Sequence, residues 1–333
     1  MIITKTPFRM SFFGGGTDME NYFREKGGAV ISTTFDKYCY VNVRHLPRFF
    51  EWTTELTYSK TERVSRVEEI NHPAIREAMK MLNMQEIRLI YEADLPARSG
   101  LGTSSSFAVG MLNAFYALKG KYADKRRLAD EAIYLERVLC AESGGWQDQI
   151  AAAYGGLNRI NFGPDGYEVC PIIISPDRKK RLNENLMMFF TGFTRFSSEV
   201  QKANAEGAPQ DKNAMLRRMH ALVDSAEDIL TGKEKDLDDF GRLLNETWQL
   251  KRKTGRAITT NSIDELYEKG MRAGALGGKL LGAGGGGFLV FYVQPEKQEA
   301  VRRAMSGLLY VPFEFENHGT QVIYYAPEAF EIR

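Results

Sequence analysis

Residues 96–107 read Pro-Ala-Arg-Ser-Gly-Leu-Gly-Thr-Ser-Ser-Ser-Phe, and they separate two segments with different hydrophobic patterns. Upstream, residues 87–93 (Ile-Arg-Leu-Ile-Tyr-Glu-Ala) are rich in the apolar and aromatic residues typical of a β-strand. Downstream, apolar residues recur at three- and four-residue spacing from Phe107 to Leu118, which indicates one face of an α-helix. The stretch is therefore predicted to be a loop that leads from a strand into a helix.

This loop has the composition of an anion-binding turn. Gly100 and Gly102 allow backbone N–H groups to approach a ligand closely, because neither residue carries a Cβ. Hydroxyl residues fill the predicted helix start from Thr103 to Ser106, where free N–H groups and the helix dipole favour a negative charge. The alternative is an ordinary capped helix, but such a cap needs only one hydroxyl. Phosphate binding is therefore the better hypothesis for the loop.

Two other nucleotide-binding signatures do not fit the chain. No Gly-x-x-x-x-Gly-Lys-Ser/Thr sequence occurs, which excludes a Walker-type phosphate loop. Gly282-Ala-Gly-Gly-Gly-Gly287 matches the dinucleotide pattern Gly-x-Gly-x-x-Gly. That pattern should follow a strand and open a helix, whereas here it precedes a strand-like run, Phe288-Leu-Val-Phe-Tyr-Val293. The sequence therefore argues against a dehydrogenase.

Length, charge and cysteine content limit the class of protein. A chain of 333 residues can bury a large core in two domains or one large one. The 44 Lys and Arg residues balance 43 Asp and Glu residues, so net charge gives no reason to expect nucleic-acid binding. Cys39, Cys140 and Cys170 are widely spaced, which fits a reducing compartment. Without a signal-peptide pattern or an apolar run of about 20 residues, we expect a cytoplasmic protein with no membrane partner, as a monomer or homo-oligomer.

Two further segments combine glycines with a carboxylate. Gly14-Gly-Gly-Thr-Asp18 ends an extended segment over residues 2–13, and it is either a flexible turn or a loop that approaches a ligand closely. Gly144-Gly-Trp-Gln-Asp148-Gln opens a small apolar helix, which places Asp148 at the lip of a cleft. Glu136 lies in a helix predicted over residues 125–140. Taken alone, such carboxylates are ordinarily surface groups.

These motifs together resemble those of a known family. Pro96-x-x-x-Gly-Leu-Gly-Thr-Ser-Ser-Ser106 is similar to the phosphate loop of the GHMP kinases, named after galactokinase, homoserine kinase, mevalonate kinase and phosphomevalonate kinase. Thr6-Pro-Phe-Arg9 and Gly14–Asp18 resemble its first motif, and the glycine-rich segment 277–287 resembles its third. The resemblance covers essentially the whole chain. It implies an α+β fold of two domains, residues 1–178 and 179–333, with the active site in the cleft between them.

The resemblance also assigns roles to individual residues. It implies ATP and Mg²⁺ as cofactors, Asp148 as the catalytic base and Arg9 as the cation near the transferred phosphate. Ser104 and Glu136 would bind the metal, with Glu142 as the alternative glutamate. The implied ATP-binding residues are Pro96, Ser99, Gly100, Leu101, Gly102, Thr103, Ser104, Ser105, Ser106, Gly284, Gly285 and Gly286. The implied substrate-binding residues are Gly15, Gly16, Thr17, Asp18, Gly145, Trp146, Gln147 and Arg195.

Within the family, the three glycine motifs look most like those of the heptose kinases, with the fucose kinases as relatives. Phe8 and the pair Gly15-Gly16 depart from galactokinase, which argues against galactose as the substrate. The resemblance implies ATP-dependent phosphorylation of the anomeric hydroxyl of a heptose 7-phosphate. An unphosphorylated sugar and a catalytically silent binding protein are the alternatives. A sugar phosphate would need a cationic pocket, for which the candidates are Arg98, Arg195, Lys251 and Arg252.

Overall fold

The computed structural model describes residues 1–97, 99–192, 211–255, 257–282 and 284–327. The strands are β1 Ile2–Phe13, β2 Gly28–His45, β3 Thr54–Thr57, β4 Thr61–Val64, β5 Ile87–Ala93, β6 Asn158–Gly163, β7 Gly166–Pro171, β8 Leu186–Phe190, β9 Gly277–Leu280, β10 Phe288–Tyr292, β11 Leu309–Tyr310, β12 Phe315–Glu316 and β13 Gln321–Tyr325. The helices are α1 Glu20–Lys26, α2 Pro73–Met81, α3 Thr103–Leu118, α4 Lys125–Ile133, α5 Gln147–Tyr154, α6 Pro176–Glu184, α7 Lys212–Thr231, α8 Asp238–Lys251, α9 Asn261–Arg272 and α10 Pro295–Ala304. A 3₁₀ turn, Val67–Glu69, precedes α2, and a π-helical turn, Tyr134–Leu139, follows α4.

The larger sheet is organised around β2, its longest strand. β1 pairs antiparallel along one edge of β2, and β5, β12 and β6 pair in succession along the other edge. Only the first residues of β1 pair with β13, from Ile2 to Lys5. The second half of β1 is therefore free on that side, and there the backbone N–H of Arg9 donates to the carbonyl of Leu101 in the predicted phosphate loop. This bond brings the loop to the sheet.

The smaller sheet has the antiparallel order β11–β8–β10–β9. Every residue of β10 is buried, because its side chains join two apolar clusters, one shared with β1 and α8 and the other with α9. The chain then returns to the larger sheet, where β12 pairs with β2 and β13 with β1. The α+β class with two sheets is confirmed. The division at residues 178 and 179 stays a prediction, and the last two strands lie in the sheet of the N-terminal half.

Two apolar cores hold the elements together. Helix α3 is buried along nearly its whole length and packs against β1 and β2, which forms the core of the N-terminal half. A second core joins the larger sheet to α8 and the smaller sheet. Its centre is Phe240 of α8, whose ring meets Phe12 and Phe13 of β1 edge-on at centroid distances of 5.2 and 5.0 Å. Together these contacts fix β1 between the two halves of the molecule.

Two predicted elements differ from the structure. The helix expected over residues 125–140 ends as an α-helix at Ile133, and the N–H of Cys140 then donates to the carbonyl of Leu135, five residues back. The glycine-rich segment expected to be a loop over 277–287 begins as strand β9. Small residues suit this strand because α8 crosses it so closely that a Cβ on Gly277 would lie 1.8 Å from a backbone oxygen of Gly241. Within the described ranges, no helix is long and apolar enough to span a bilayer.

Candidate active site

The centre of the site is an ion pair between a strand and a helix. Asp148 lies in the first turn of α5, and Arg9 lies in the second half of β1. Arg9 Nε donates to Asp148 Oδ1 at 2.7 Å and its Nη2 donates to Oδ2 at 2.8 Å, which is a bidentate pairing. Arg9 is 4% exposed, whereas a quarter of the Asp148 side chain reaches solvent. The carboxylate is therefore fixed in direction and open to a ligand.

The predicted phosphate loop lies directly against this pair. Arg9 Nη1 donates to the carbonyl of Gly100 at 2.7 Å. Gly102 has φ 72° at the N-terminus of α3, and a Cβ there would lie 3.2 Å from Arg9 Cγ and 3.5 Å from Asp148 Cβ. Glycine is thus required for both the backbone conformation and the close approach. The N-terminus of α3, which favours anions, lies beside the carboxylate.

The loop residues divide between ligand-facing and structural positions. Pro96 is exposed at the loop entrance, whereas the side chain of Leu101 is buried in the core. The hydroxyl of Ser99 is buried and has no hydrogen-bond partner within the described residues. Ser106 donates its hydroxyl to the carbonyl of Pro7 and its N–H to the carbonyl of Gly102. The assignment of Ser106 to ATP is therefore corrected to a structural role, because it has no donor left.

The predicted metal-binding glutamate is held by the start of α3. Glu136, which is 1% exposed, lies in the π-helical turn. It accepts from Ser104 Oγ and Ser105 Oγ, each at 2.7 Å, and from the amide of Gln149. Ser104 and Glu136 thus present hard oxygen atoms side by side, which fits Mg²⁺. Across the described chain no cluster of three or more acidic, His or Cys ligands occurs.

Glu142, the alternative metal ligand, occupies a different position. Its N–H donates to the carbonyl of Glu136. Burial, together with the charge of Glu136, raises the pKa of Glu142 above its usual value. Of the two glutamates, Glu136 is the one that contacts Ser104. The structure therefore favours Glu136 for the metal site.

A second carboxylate, Asp18, faces the same centre from the loop after β1. Its Oδ1 accepts from the N–H of Gly16 at 2.9 Å and its Oδ2 from the N–H of Gln147 at 3.4 Å. Gly145 packs so tightly on Asp18 that a Cβ would lie 1.8 Å from Oδ2. Burial raises the pKa of Asp18, and the charge of Asp148 adds to this effect. Asp18 is thus bonded to the residue that precedes Asp148, at the start of α5.

One predicted substrate residue has a structural role instead. The hydroxyl of Thr17 is buried and makes its hydrogen bonds to the carbonyls of Gly14 and Ala29, so it fixes the loop and its assignment to substrate is corrected. The ring of Trp146 packs edge-on against Phe23 at a centroid distance of 4.8 Å, and its backbone N–H donates to the carbonyl of Asp18. The assignment of Trp146 to substrate stays a prediction.

Ser11 is a polar residue of this pocket that was not predicted from the sequence. Ser11 Oγ and Gln147 Oε1 are buried and have no partner in the described parts of the chain. Ser11 Oγ and Gln147 Nε2 lie 3.7 and 3.8 Å from the position that a Cβ of Gly15 would occupy. These groups surround one point, where a ligand hydroxyl could satisfy them. Ser11 had no sequence signal, since it lies within an ordinary strand.

The third glycine segment contacts the phosphate loop through residues other than those predicted. Gly282 has φ 84°, and a Cβ there would lie 2.3 Å from the Cα of Gly100. A Cβ on Gly287 would lie 2.1 Å from the carbonyl oxygen of Ser99. In contrast, Gly284 packs on the backbone of Ile258, and Gly285 donates its N–H to the Ile258 carbonyl. The assignments of Gly284, Gly285 and Gly286 to ATP stay predictions, and Gly286, with φ 152°, lies in the same loop.

Among the four candidate phosphate-binding cations, Lys251 lies in this site. Its Nζ donates to the carbonyl of Gly282 at 2.5 Å. Burial and the charge of Arg9 lower its pKa to about 8, whereas Asp18 and Asp148 oppose that shift. Arg252 instead pairs with Asp264 at 3.0 Å. Arg98 and Arg195 lie outside the described residues.

Comparisons with known proteins agree with this arrangement. The model for the GHMP kinases N terminal domain matches residues 67–156, and the model for the GHMP kinases C terminal domain matches residues 225–311. The D-glycero-alpha-D-manno-heptose 7-phosphate kinase of Campylobacter jejuni subsp. jejuni serotype O:2 is 26% identical over 325 residues, which cover 91% of this chain and 93% of that protein. The bifunctional fucokinase/GDP-fucose pyrophosphorylase of Arabidopsis thaliana is 29% identical over 64% of this chain but only 20% of its own length.

Solved structures show the same fold. A D-glycero-D-manno-heptose 1-phosphate kinase from Bacteroides thetaiotaomicron superposes with a TM-score of 0.78 at 24% identity, covering 98% of this chain and 100% of the other. Galactokinase from Lactococcus lactis, complexed with galactose, superposes with a TM-score of 0.70 at 17% identity, covering 96% and 94% of the two chains. At these identities the likeness concerns the fold alone.

Proposed function

Because the chain belongs to the GHMP kinase family, we propose that it transfers the γ-phosphoryl group of ATP to the anomeric hydroxyl of D-glycero-D-manno-heptose 7-phosphate. The product would be the 1,7-bisphosphate, a precursor of nucleotide-activated heptose. The observation that carries the reaction type is the Asp148 carboxylate, held by Arg9 beside the N-terminus of α3. The similarity to the Campylobacter jejuni heptose 7-phosphate kinase supports the choice of acceptor.

The proposed chemistry requires positioning more than covalent participation by the protein. The anomeric oxygen attacks the γ-phosphorus, and the bond from that phosphorus to the ADP oxygen breaks. Asp148 orients the sugar hydroxyl and accepts its proton. Arg9 keeps the carboxylate aimed at this point through its two hydrogen bonds. The backbone over residues 100–105 binds the ATP phosphates at the helix N-terminus.

Mg²⁺ fits the pair of oxygen ligands at Ser104 and Glu136. When bound, the ion neutralises negative charge on the ATP phosphates. The carboxylate of Glu136 is fixed by hydrogen bonds from Ser105 and Gln149. These contacts hold the carboxylate on the side of α3 where the phosphates would lie.

The sugar would lie between Asp148 and the loop after β1. Asp18 can accept hydrogen bonds from sugar hydroxyls. Ser11 and Gln147 supply the buried polar atoms that lack partners in the described chain. A polyhydroxylated acceptor matches this set, because each hydroxyl both donates and accepts.

Turnover on a panel of acceptors tests the proposal. ATP consumption with Mg²⁺ is measured with D-glycero-D-manno-heptose 7-phosphate, the free heptose, mannose 6-phosphate, L-fucose, galactose and mevalonate. Turnover confined to the heptose phosphate, with a new anomeric phosphate seen by ³¹P NMR, is the expected result.

The fucokinase similarity supports a second candidate, a kinase for an unphosphorylated sugar. Equal turnover on L-fucose or the free heptose would favour that candidate. No turnover on any acceptor, with ATP still bound, would contradict both kinase proposals and favour a binding protein.

A further inference from the structure

Lys251, at the C-terminal end of α8, is a cation of the site to which the proposed chemistry gives no role. Resting on the proposed kinase function, we propose that Lys251 contacts the transferred phosphoryl group and stabilises its charge in the transition state. Arg9 then acts mainly as a positioning residue for Asp148. This assignment gives the C-terminal half of the chain a catalytic residue, in addition to the glycines with which it contacts the phosphate loop.

The hydrogen bonds of Arg9 are the first argument. Its Nε, Nη1 and Nη2 donate to Asp148 and to the carbonyl of Gly100, all between 2.7 and 2.8 Å. The residue is also almost fully buried. Three of the five N–H donors of the guanidinium are thus used within the protein, and burial limits access to the other two. A second cation that is free to contact the phosphoryl group would add to the stabilisation of its charge.

The position of Lys251 is the second argument. Its Nζ donates to the carbonyl of Gly282, the residue whose backbone touches Gly100 of the phosphate loop. The ammonium thus lies where the two glycine loops meet, and it has further N–H donors for a ligand. The charges of Arg9, Asp18 and Asp148 all act on it. The ammonium is consequently placed at the phosphate loop, within electrostatic reach of Asp148.

The charge balance around Lys251 is the third argument. A third cation, Lys279 of β9, is 1% exposed and donates to the carbonyl of Phe12 at 2.8 Å. Burial, and then the charges of Lys251 and Arg9, hold the pKa of Lys279 well below its usual value. Three basic groups therefore share the centre with two carboxylates, Asp18 and Asp148. An incoming anionic group would favour the charged form of both lysines, because a nearby opposite charge stabilises a cation.

Substitution of Lys251 tests the assignment. In Lys251→Met, kcat should fall by about 10²–10³-fold, the range for loss of one group that stabilises developing charge. The affinity for ATP should change little, because the phosphate loop is intact. Lys251→Arg should restore part of kcat, since it keeps the charge. Lys253→Met, which removes an exposed cation two residues away, is the matched control and should behave as the unmodified protein.

Binding of a transition-state mimic gives a readout that needs no acceptor turnover. Calorimetry compares Mg·ADP alone with Mg·ADP plus aluminium fluoride, which mimics the transferred group. Lys251→Met should lose affinity for the aluminium fluoride complex but keep its affinity for Mg·ADP. If the unmodified protein phosphorylates no acceptor, the proposed function is wrong, and this binding experiment still decides whether Lys251 faces the transferred group.

The pH profile gives a further readout. The charged groups facing Lys251 are Arg9, Asp18, Asp148 and Lys279. A protonated Lys251 is required, so kcat/KM should decline as the pH rises above about 8, and the decline should move to higher pH in Lys251→Arg.

A different pattern would overturn the proposal. If Lys251→Met kept kcat and raised KM for heptose 7-phosphate but not for the free heptose, Lys251 would hold the phosphate of the acceptor instead. Equal losses of affinity for Mg·ADP and for the aluminium fluoride complex would also exclude a role specific to the transition state.

Discussion

At the scale of single residues, the bidentate pair between Arg9 and Asp148 explains why an arginine occupies this position. The planar guanidinium matches both carboxylate oxygens and reaches Gly100 with a third N–H. A lysine has a single nitrogen and could not fix the direction of Asp148 in this way. The orientation of the carboxylate is therefore set by a residue that lies 139 positions earlier in the chain.

Replacement of the base gives the first prediction. Asp148→Asn keeps the size of the side chain but removes its ability to accept a proton. We expect kcat to fall by about 10²–10⁴-fold, as for a positioned acid–base group, while ATP binding measured by calorimetry is retained. Asp165→Asn, in the exposed turn between β6 and β7, is the control. Near-normal turnover of Asp148→Asn would exclude Asp148 as the base.

The two glutamates near α3 give the second prediction. Glu136→Gln preserves the shape that Ser104 and Ser105 contact but removes the charge. The concentration of free Mg²⁺ needed for half-maximal activity should therefore rise. Glu142→Gln should leave the Mg²⁺ response unchanged, since Glu142 contacts the backbone of Glu136 and not Ser104. Titration of activity with Mg²⁺ distinguishes the variants, and the opposite result would move the metal site to Glu142.

The three carboxylates of the candidate site were predicted from the sequence, whereas the hydrogen-bond partners of several neighbouring side chains were not. Asp148 and Asp18 could be predicted because each lies in a short glycine-rich motif, and Glu136 because its position matches the family resemblance. Thr17 and Ser106 were assigned to ligands, although their hydroxyls bind carbonyls of other segments. Such partners are far away in sequence, so composition gives no sign of them.

At the scale of elements, the contact between two glycine loops organises the site. Gly100 and Gly282 meet backbone to backbone, and Lys251 bonds the carbonyl of Gly282. The phosphate loop therefore depends on a hairpin from the smaller sheet. A change in the conformation of that hairpin should therefore alter nucleotide binding directly.

Substitution of Gly282 gives the third prediction. In Gly282→Ala the new Cβ would lie 2.3 Å from the Cα of Gly100, and φ 84° is unfavourable for alanine. We expect a stability loss of about 1–3 kcal/mol and weaker ATP binding, measured by urea denaturation and nucleotide titration. Gly307→Ala, where a Cβ meets nothing within 4 Å, is the control. If both variants bound ATP equally well, the loop contact would have no role in nucleotide binding.

Most helices and strands, such as α3, β5 and β10, can be predicted from the spacing of apolar residues and the positions of turn residues. Strand β9 was missed because its glycines suggest a loop, whereas they are present to let α8 cross. The π-helical turn was missed for a related reason. A single wide turn does not change the apolar spacing enough to be read from one sequence.

At the scale of the whole molecule, the aromatic core around Phe240 joins the two sheets. Phe12 and Phe13 project from the strand that carries Arg9, and both rings meet Phe240. The core therefore positions Arg9 relative to Lys251, which ends the same helix as Phe240. Stability and site geometry are coupled through α8.

Truncation of this ring gives the fourth prediction. Phe240→Ala should lower the free energy of unfolding by about 3–5 kcal/mol, the usual cost of removing a buried phenylalanine. Equilibrium urea denaturation measures the change. Leu309→Ala, at a side chain that is 65% exposed, should have a small effect. Similar losses in the two variants would show that the aromatic cluster is not a central core.

The fold class was predictable at this scale because three motifs occur in order along the chain. The pairing of β13 with β1 could not be predicted in the same way. It pairs Ile2 with Tyr325, and a strand pattern contains no information about so distant a partner.

The π-helical turn has a consequence for how the chain can vary in length. It accommodates a residue more than a regular helix would between Ile133 and Cys140. Deleting one residue there would restore regular α-helical winding and keep the later side chains close to their present directions. A deletion in the regular part of α4 would instead rotate every later side chain by about 100° relative to the earlier ones. The turn is therefore the position in this helix where a change of chain length should disturb the core least, and its cost would fall on Glu136, which lies in the turn and accepts from Ser104 and Ser105.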